Sequence, residues 1–140
     1  LGSTGWSDYT VETDIKGISG LNSGIMVRVQ NPAQGGAGND PGLGTDFYQG
    51  YFAFISTGGV ALGKQNYNWT TLASASVTYN TNTWYHMKVV VSGNNIKVYV
   101  DDMTNPKINY TDNNNPFING KVGLRVYQSH THFDNFTVTH

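Results

Sequence analysis

The sequence predicts an all-β domain built as a two-sheet antiparallel β-sandwich, and three observations carry that prediction. Apolar residues recur with period two in segment after segment, the mark of half-buried strands. No stretch shows a capped 3.6-residue apolar stripe, so no helix is predicted. Turn residues return at roughly the 8–12-residue spacing of short sandwich strands.

Each element follows in order. In Tyr9–Ile15 the residues Tyr9, Val11 and Ile15 face one way, and Glu12 and Asp14 face the other. Ile25, Val27 and Val29 then alternate with Met26, Arg28 and Gln30. The stretch from Asn31 to Asp46 is rich in Gly, Pro and Asn and too long for a simple hairpin. Loops beyond about 12–15 residues without structure of their own are often functional. Tyr51–Ile55 and Val60–Lys64 flank Ser56-Thr57-Gly58-Gly59, a hairpin turn in which glycine permits positive φ.

Tyr85, Met87, Val89 and Val91 alternate with Trp84, His86, Lys88 and Val90. Ser92-Gly93-Asn94-Asn95 then turns the chain into a strand at Ile96–Val100. The second long polar connection, Asn105 to Gly120, holds a short strand at Lys107–Tyr110. Val122, Leu124 and Val126 alternate with Lys121, Arg125 and Tyr127, and a last strand runs from His132 to Thr139. The expected total is about nine or ten antiparallel strands in one domain over residues 1–140.

Bulk properties narrow the function. A chain of 140 residues encloses one core. Charged residues are only 12% and the net charge is −1, which leaves no basic face to neutralise a run of phosphates. Nucleic acid is therefore not an expected partner. There is no cysteine, hence no disulfide framework and no thiol chemistry. Secretion stays compatible with that, because a domain with a full core does not need disulfides. No apolar run approaches the roughly 20 residues that span a bilayer, and no membrane partner is expected. Leu1 opens abruptly in a polar stretch, as an excised or processed fragment would.

Several segments together resemble one family. Trp6-Ser7-Asp8-Tyr9-Thr10-Val11-Glu12 is similar to the opening strand of concanavalin A-like, laminin-G-like modules attached to glycoside hydrolases. Gly24-Ile25-Met26-Val27-Arg28, Gly50-Tyr51 and Leu62-Gly63-Lys64 are similar to their next strand and central hairpin. Trp84–Val89 with Gly93–Tyr99, Gly120–Arg125 and Phe133-Asp134-Asn135-Phe136-Thr137-Val138 resemble the later strands. The ordered set covers nearly the whole chain, and the nearest functional relatives it suggests are the family 66 carbohydrate-binding modules.

The resemblance implies a jelly-roll sandwich that binds carbohydrate without catalysis. It implies a secreted, extracellular module tethered to a catalytic domain and directed at fructan, arabinan, xylan or galactan. It further implies that Asp134 ligates a structural calcium ion together with backbone carbonyls near the N-terminus. Asp134 shares the parity of Phe136 and Val138, the expected core side, so it needs such a partner. Modules of this type usually carry another strand upstream of the opening motif, of which only Leu1 to Gly5 are present here.

The residues favour binding over chemistry. Glycoside hydrolysis normally needs two carboxylates at fixed separation. Glu12-Thr13-Asp14 is only a fragment of the glucanase pattern on this fold, and Glu12 is the sole glutamate. His130 and His132 have a metal-compatible spacing but no evident third ligand. Sugar binding asks instead for aromatic surface beside planar, bidentate donors. Arg28 and Gln30, like Arg125 and Tyr127, lie opposite the apolar faces of their strands. Arginine rather than lysine at these positions suits hydroxyl pairs. Tyr48, Tyr51 and Tyr127 are the expected platforms, and Asp46 ends the long loop where it would overhang the sheet.

The candidate carbohydrate site is thus Arg28, Gln30, Asp46, Tyr48, Tyr51, Arg125 and Tyr127. The tryptophans rank behind them: Trp84 opens a strand at a position that packs in the family resembled, Trp6 covers one end of the core, and Trp69 follows a hairpin. Three alternatives stand beside this reading: arginines that brace the sheet by pairing with Glu12 or Asp14, a structural or protein-adhesion sandwich, and a glycosidase.

Overall fold

The computed structural model describes residues 1–36 and 39–140, and among these it holds eight strands and no helix. They are β1 (Tyr9–Gln30), β2 (Gln49–Ser56), β3 (Gly59–Asn66), β4 (Trp69–Ala75), β5 (Trp84–Ser92), β6 (Asn95–Val100), β7 (Ile108–Thr111) and β8 (Lys121–Thr139). Two expected pairs of strands are single long ones, because β1 and β8 stay hydrogen-bonded to each other from Thr10–Thr139 to Val29–Lys121. The pair bends near Gly20, whose φ of 91° and contact with the Gln128 carbonyl leave no place for a side chain. Strand β4 was not expected: Trp69–Ala75 carries little apolar alternation because it lies at the edge of the sheet.

The hydrogen bonding makes one sheet rather than two. Its order is β4-β3-β2-β1-β5-β6-β7, all antiparallel, with β8 also paired to β1. The first half of β1 holds β5, the second half holds β2, and β8 follows both halves. Edge strand β4 lies beside β7, so the sheet nearly closes on itself. Val11, Ile15, Ile25, Val27, Leu62, Met87, Val89 and Val98 fill the single core between the halves. Burial of each such side chain contributes roughly 1.5–3 kcal/mol.

Bulges reverse two predicted orientations. The pairing of β1 slips between Val27 and Gln30, and Arg28 takes a φ of 56°. Its side chain turns inward and is 1% exposed, not solvent-facing as expected. The guanidinium donates to the carbonyls of Gly93 (3.0 Å) and Phe117 (2.8 Å), and the Arg28 amide donates to the Tyr9 hydroxyl (2.7 Å). A second slip lies between Glu12 and Asp14, opposite Asn135, whose φ is 52°. It shifts Asp134 off the parity of Phe136, and Asp134 is exposed rather than core-facing.

Tyr51 is also a core residue rather than a platform. Its hydroxyl donates to Asp112 (2.6 Å) and accepts from the Phe117 amide (3.0 Å). Lys64 completes that buried group, reaching Asp112 (2.7 Å) and the carbonyls of Asn114 and Asn115. Neither arginine pairs with Glu12 or Asp14. His86 does, with Nδ1 2.6 Å from Asp14 and Nε2 2.8 Å from Glu12.

Two expected outcomes follow from these contacts. Arg28→Ala strands two carbonyls and should cost on the order of 3–5 kcal/mol, read as a lower denaturation midpoint at unchanged slope.

The second concerns pH. Hydrogen bonds donated by His86 to Asp14 and then to Glu12 hold the His86 pKa above its usual value. Asn135 and then His86 hold the Asp14 carboxyl below its own. The His86 contribution is complete below about pH 6.5 and is lost as pH rises through the raised folded value. The Asp14 contribution is present above about pH 4 and lost as pH falls through the depressed folded value. The Tm deficit of His86→Gln relative to the parent should therefore be largest between the two unfolded values and shrink as pH rises through the raised His86 value. A pH-independent deficit would remove the ionic account.

Candidate functional site

The outward face of the β8–β1–β2–β3–β4 half carries a cleft of about 610 Å³. Strand parity explains its lining. Tyr51, Ala53 and Ile55 point into the core, so Phe52 and Phe54 of the same strand point out. Across the sheet, Gly24 separates Arg125 on β8 from Phe54 on β2, and Met26 separates Gly123 from Phe52. The glycine leaves a depression between the arginine and the phenylalanine.

Trp69 closes one side. Its indole lies on Gly63, where an added methyl group would overlap the ring, and its Nε1 donates to Thr71 Oγ1 (3.0 Å). It stands 5.7 Å from Phe54 and 6.3 Å from Phe52, centroid to centroid, and stays 40% exposed. Tyr127, 44% exposed, closes the other side beside Asn22.

The loop before β2 supplies the polar end. The Asp46 amide donates to the Tyr67 carbonyl (2.8 Å) and the Tyr67 amide donates to the Tyr48 carbonyl (3.2 Å), so the loop is pinned to the turn after β3. Asp46 Oδ2 then accepts from Arg125 (2.9 Å) and from Gln65 Nε2 (2.6 Å). Asp46 Oδ1 accepts from the Phe47 amide (2.8 Å).

Arg125 also donates to the Tyr48 hydroxyl (3.2 Å), and its Cζ lies 5.4–5.7 Å from the rings of Phe47, Tyr48, Phe52 and Tyr127. Cation–π attraction holds over such distances. Burial alone would lower the Arg125 pKa, but Tyr48 and Asp46 outweigh it and raise it above the ordinary guanidinium value. Burial pushes the Tyr48 hydroxyl up to about 12, so it stays protonated. The result is a fixed guanidinium–carboxylate pair at the end of an aromatic trough.

Of the predicted site residues, Asp46, Arg125 and Tyr127 meet in this cleft, with Tyr48 buried just beneath them. Arg28 and Tyr51 are interior, and Gln30 is elsewhere, donating to Asn119 (2.6 Å). Phe47, Phe52, Phe54, Gln65 and Asn22 were missed, and Trp69, ranked behind the tyrosines, lines the cleft. The available signal was Phe52-Ala53-Phe54, where two large aromatics share the face opposite Tyr51 and Ile55.

The family model described as 3-keto-alpha-glucoside-1,2-lyase-like domain matches residues 3–139. No curated protein matches the chain. Among solved structures, the carbohydrate-binding module CBM66 from Bacillus subtilis is similar at 26% identity and a TM-score of 0.77, covering 95% of this chain and 75% of that one. Galectin LEC-6 of Caenorhabditis elegans shares the fold at 12% identity and a TM-score of 0.65, covering 100% of this chain and 89% of that one. A mutant of the GH43 protein BlXynB from Bacillus licheniformis does so at 13% identity and 0.56, covering 95% and 27%.

The expected calcium does not fit the residues present. Asp134 is solvent-facing, its Oδ1 accepts from the Asn135 amide (2.8 Å), and Asp14 faces it across the β1–β8 pair. The N-terminal carbonyls lie elsewhere: Leu1 exchanges backbone hydrogen bonds with Val122, far along β8 from Asp134. Among the described residues no group of three metal-binding side chains is assembled. Thermal unfolding in calcium and in chelator should coincide for the parent and for Asp134→Ala. A calcium-dependent rise in Tm that Asp134→Ala abolishes would reinstate the ion.

Proposed function

The chain belongs to the 3-keto-alpha-glucoside-1,2-lyase-like domain family, and we propose that it acts as a non-catalytic carbohydrate-binding module whose ligand lies in the aromatic cleft. One observation carries the reading: Arg125 and Asp46 meet Phe52, Phe54, Trp69 and Tyr127 in a single depression. A sugar ring offers an apolar C–H face to stack on exposed aromatics and an edge of hydroxyls to pair with fixed donors and acceptors. The Bacillus subtilis relative, itself a carbohydrate-binding module, supports the same reading.

The non-catalytic part rests on the acid–base content of the cleft. Asp46 is the one carboxylate among its lining residues, and both of its oxygens are already hydrogen-bonded. Hydrolysis of a glycosidic bond ordinarily uses two carboxylates. In this reading the module is an extracellular, flattened jelly-roll sandwich that directs a tethered glycoside hydrolase to fructan, arabinan, xylan or galactan. The family description, which names a lyase, is the observation behind a second reading, in which the same cleft turns a sugar over.

Affinity electrophoresis in gels containing levan, inulin, arabinan, arabinoxylan or galactan tests both. Retardation by at least one, with no sugar released on prolonged incubation, is the expected outcome. Trp69→Ala and Tyr127→Ala each remove roughly 1–2 kcal/mol of apolar contact, on the order of tenfold in affinity. Tm should change little for Tyr127→Ala, while Trp69→Ala also loses its packing on Gly63 and should lower Tm. Arg125→Ala should abolish retardation. Variants that migrate like the parent in a retarding gel would move the ligand off this cleft, and released sugar would favour the enzyme.

A further inference from the structure

Gln65 is 3% exposed and lines the cleft, yet only half of its side-chain amide is used. Nε2 donates to Asp46 Oδ2 at 2.6 Å, while Oε1 meets no donor among the described residues. Chemistry dictates this orientation, because the reversed amide would set its oxygen against the carboxylate oxygen of Asp46. A buried acceptor without a donor is unfavourable, and native proteins keep few of them. Around it the other groups are engaged: both Asp46 oxygens accept, and Arg125 donates to Asp46 and Tyr48. The unmet requirement at this end of the cleft is for a donor, not an acceptor.

Charge narrows the donor further. Arg125 is compensated by Asp46 at 2.9 Å, so the cleft holds no spare cation for a carboxylate or sulfate group. Gln65 stands opposite Trp69 in the β3–β4 pair, and both line the cleft, so the amide and the exposed indole share one wall.

Resting on the carbohydrate-binding reading, we propose that Gln65 is a specificity-determining residue of the cleft. Its Oε1 accepts a hydrogen bond from a free hydroxyl of a neutral sugar stacked on Trp69. Because Gln65 is buried in the free protein, this contact requires the amide to turn about its Asp46 contact when the sugar binds. Saccharides with a free hydroxyl at that position are taken, and those O-methylated or deoxygenated there are rejected.

The test starts from whichever of levan, inulin, arabinan, arabinoxylan and galactan retards the parent protein. Gln65→Met keeps the length of the side chain and removes both the Oε1 acceptor and the Nε2 donor to Asp46. Its dissociation constant for that polysaccharide should rise roughly five- to a hundredfold, with a lower Tm from the lost Asp46 hydrogen bond, so affinity is read per folded molecule. In the unaltered protein, oligosaccharides cut from the same polysaccharide should shift the Gln65 side-chain amide signals in nitrogen-15 spectra together with the Trp69 indole signal. That measurement decides the matter even if Gln65→Met does not fold. Unchanged affinity in folded Gln65→Met, or a moving indole beside an unmoved Gln65 amide, overturns this inference and leaves carbohydrate binding standing. Retardation by none of the five polysaccharides overturns both.

Discussion

Strands β1 and β8 pair along almost their whole length, and everything else in the molecule is hung on that pair. Strand β1 joins the two halves of the sheet, with β5 beside its first half, β2 beside its second and β8 along both. The bend between the halves sets how they face one another across the core. The slips in pairing along the two strands set which side chains look inward. A uniform ladder would hold alternation to the end of each strand. The bulges instead reset it at chosen points, which is why Arg28 can join a core otherwise made of valine, isoleucine and tyrosine.

That constraint explains what was readable in the sequence. Alternation in Tyr9–Ile15 and Trp84–Val91 named inner and outer faces correctly, because β1 and β5 pair there without a slip. Arg125 and Tyr127 were placed correctly for the same reason. Arg28 and Asp134 were misplaced because each lies at a slip, and one extra residue reverses parity without altering the residue pattern. Tyr51–Ile55 fails differently. It is apolar on both faces, so alternation says nothing about which side is the core. What decides is the buried Asp112 that meets the Tyr51 hydroxyl, a partner 61 residues away. Trp69 was ranked low because the strand it opens is an edge, where the apolar pattern is faint and no strand was expected.

The two outer surfaces have opposite chemistry. One half of the sheet presents Glu12, Asp14, Lys16, His86 and Lys88, where His86 bridges both carboxylates and the lysines lie over Trp84 and Tyr99. The other presents Phe52, Phe54 and Trp69 around a single arginine–carboxylate pair. A surface needing only solubility resembles the first. The second keeps aromatic rings in water, and its loop, its glycine gaps and its buried tyrosine all act to hold Arg125 still. Preorganisation of that kind reduces what a ligand loses in ordering the site.

The union of β1 and β8 also bears on how the chain reaches its native state. Thr10 and Thr139 become neighbours although nearly the whole sequence separates them. Closing so large a loop is entropically slow, and chains dominated by non-local pairing cross high folding barriers. The hairpins β2–β3 and β5–β6 are local and can form early, but each remains a ribbon with one open side until β1 lies between them. During synthesis β8 is the last strand to emerge, so its partner edge on β1 waits unpaired until translation has passed Thr139. Over that interval the exposed edge is open to pairing with another chain.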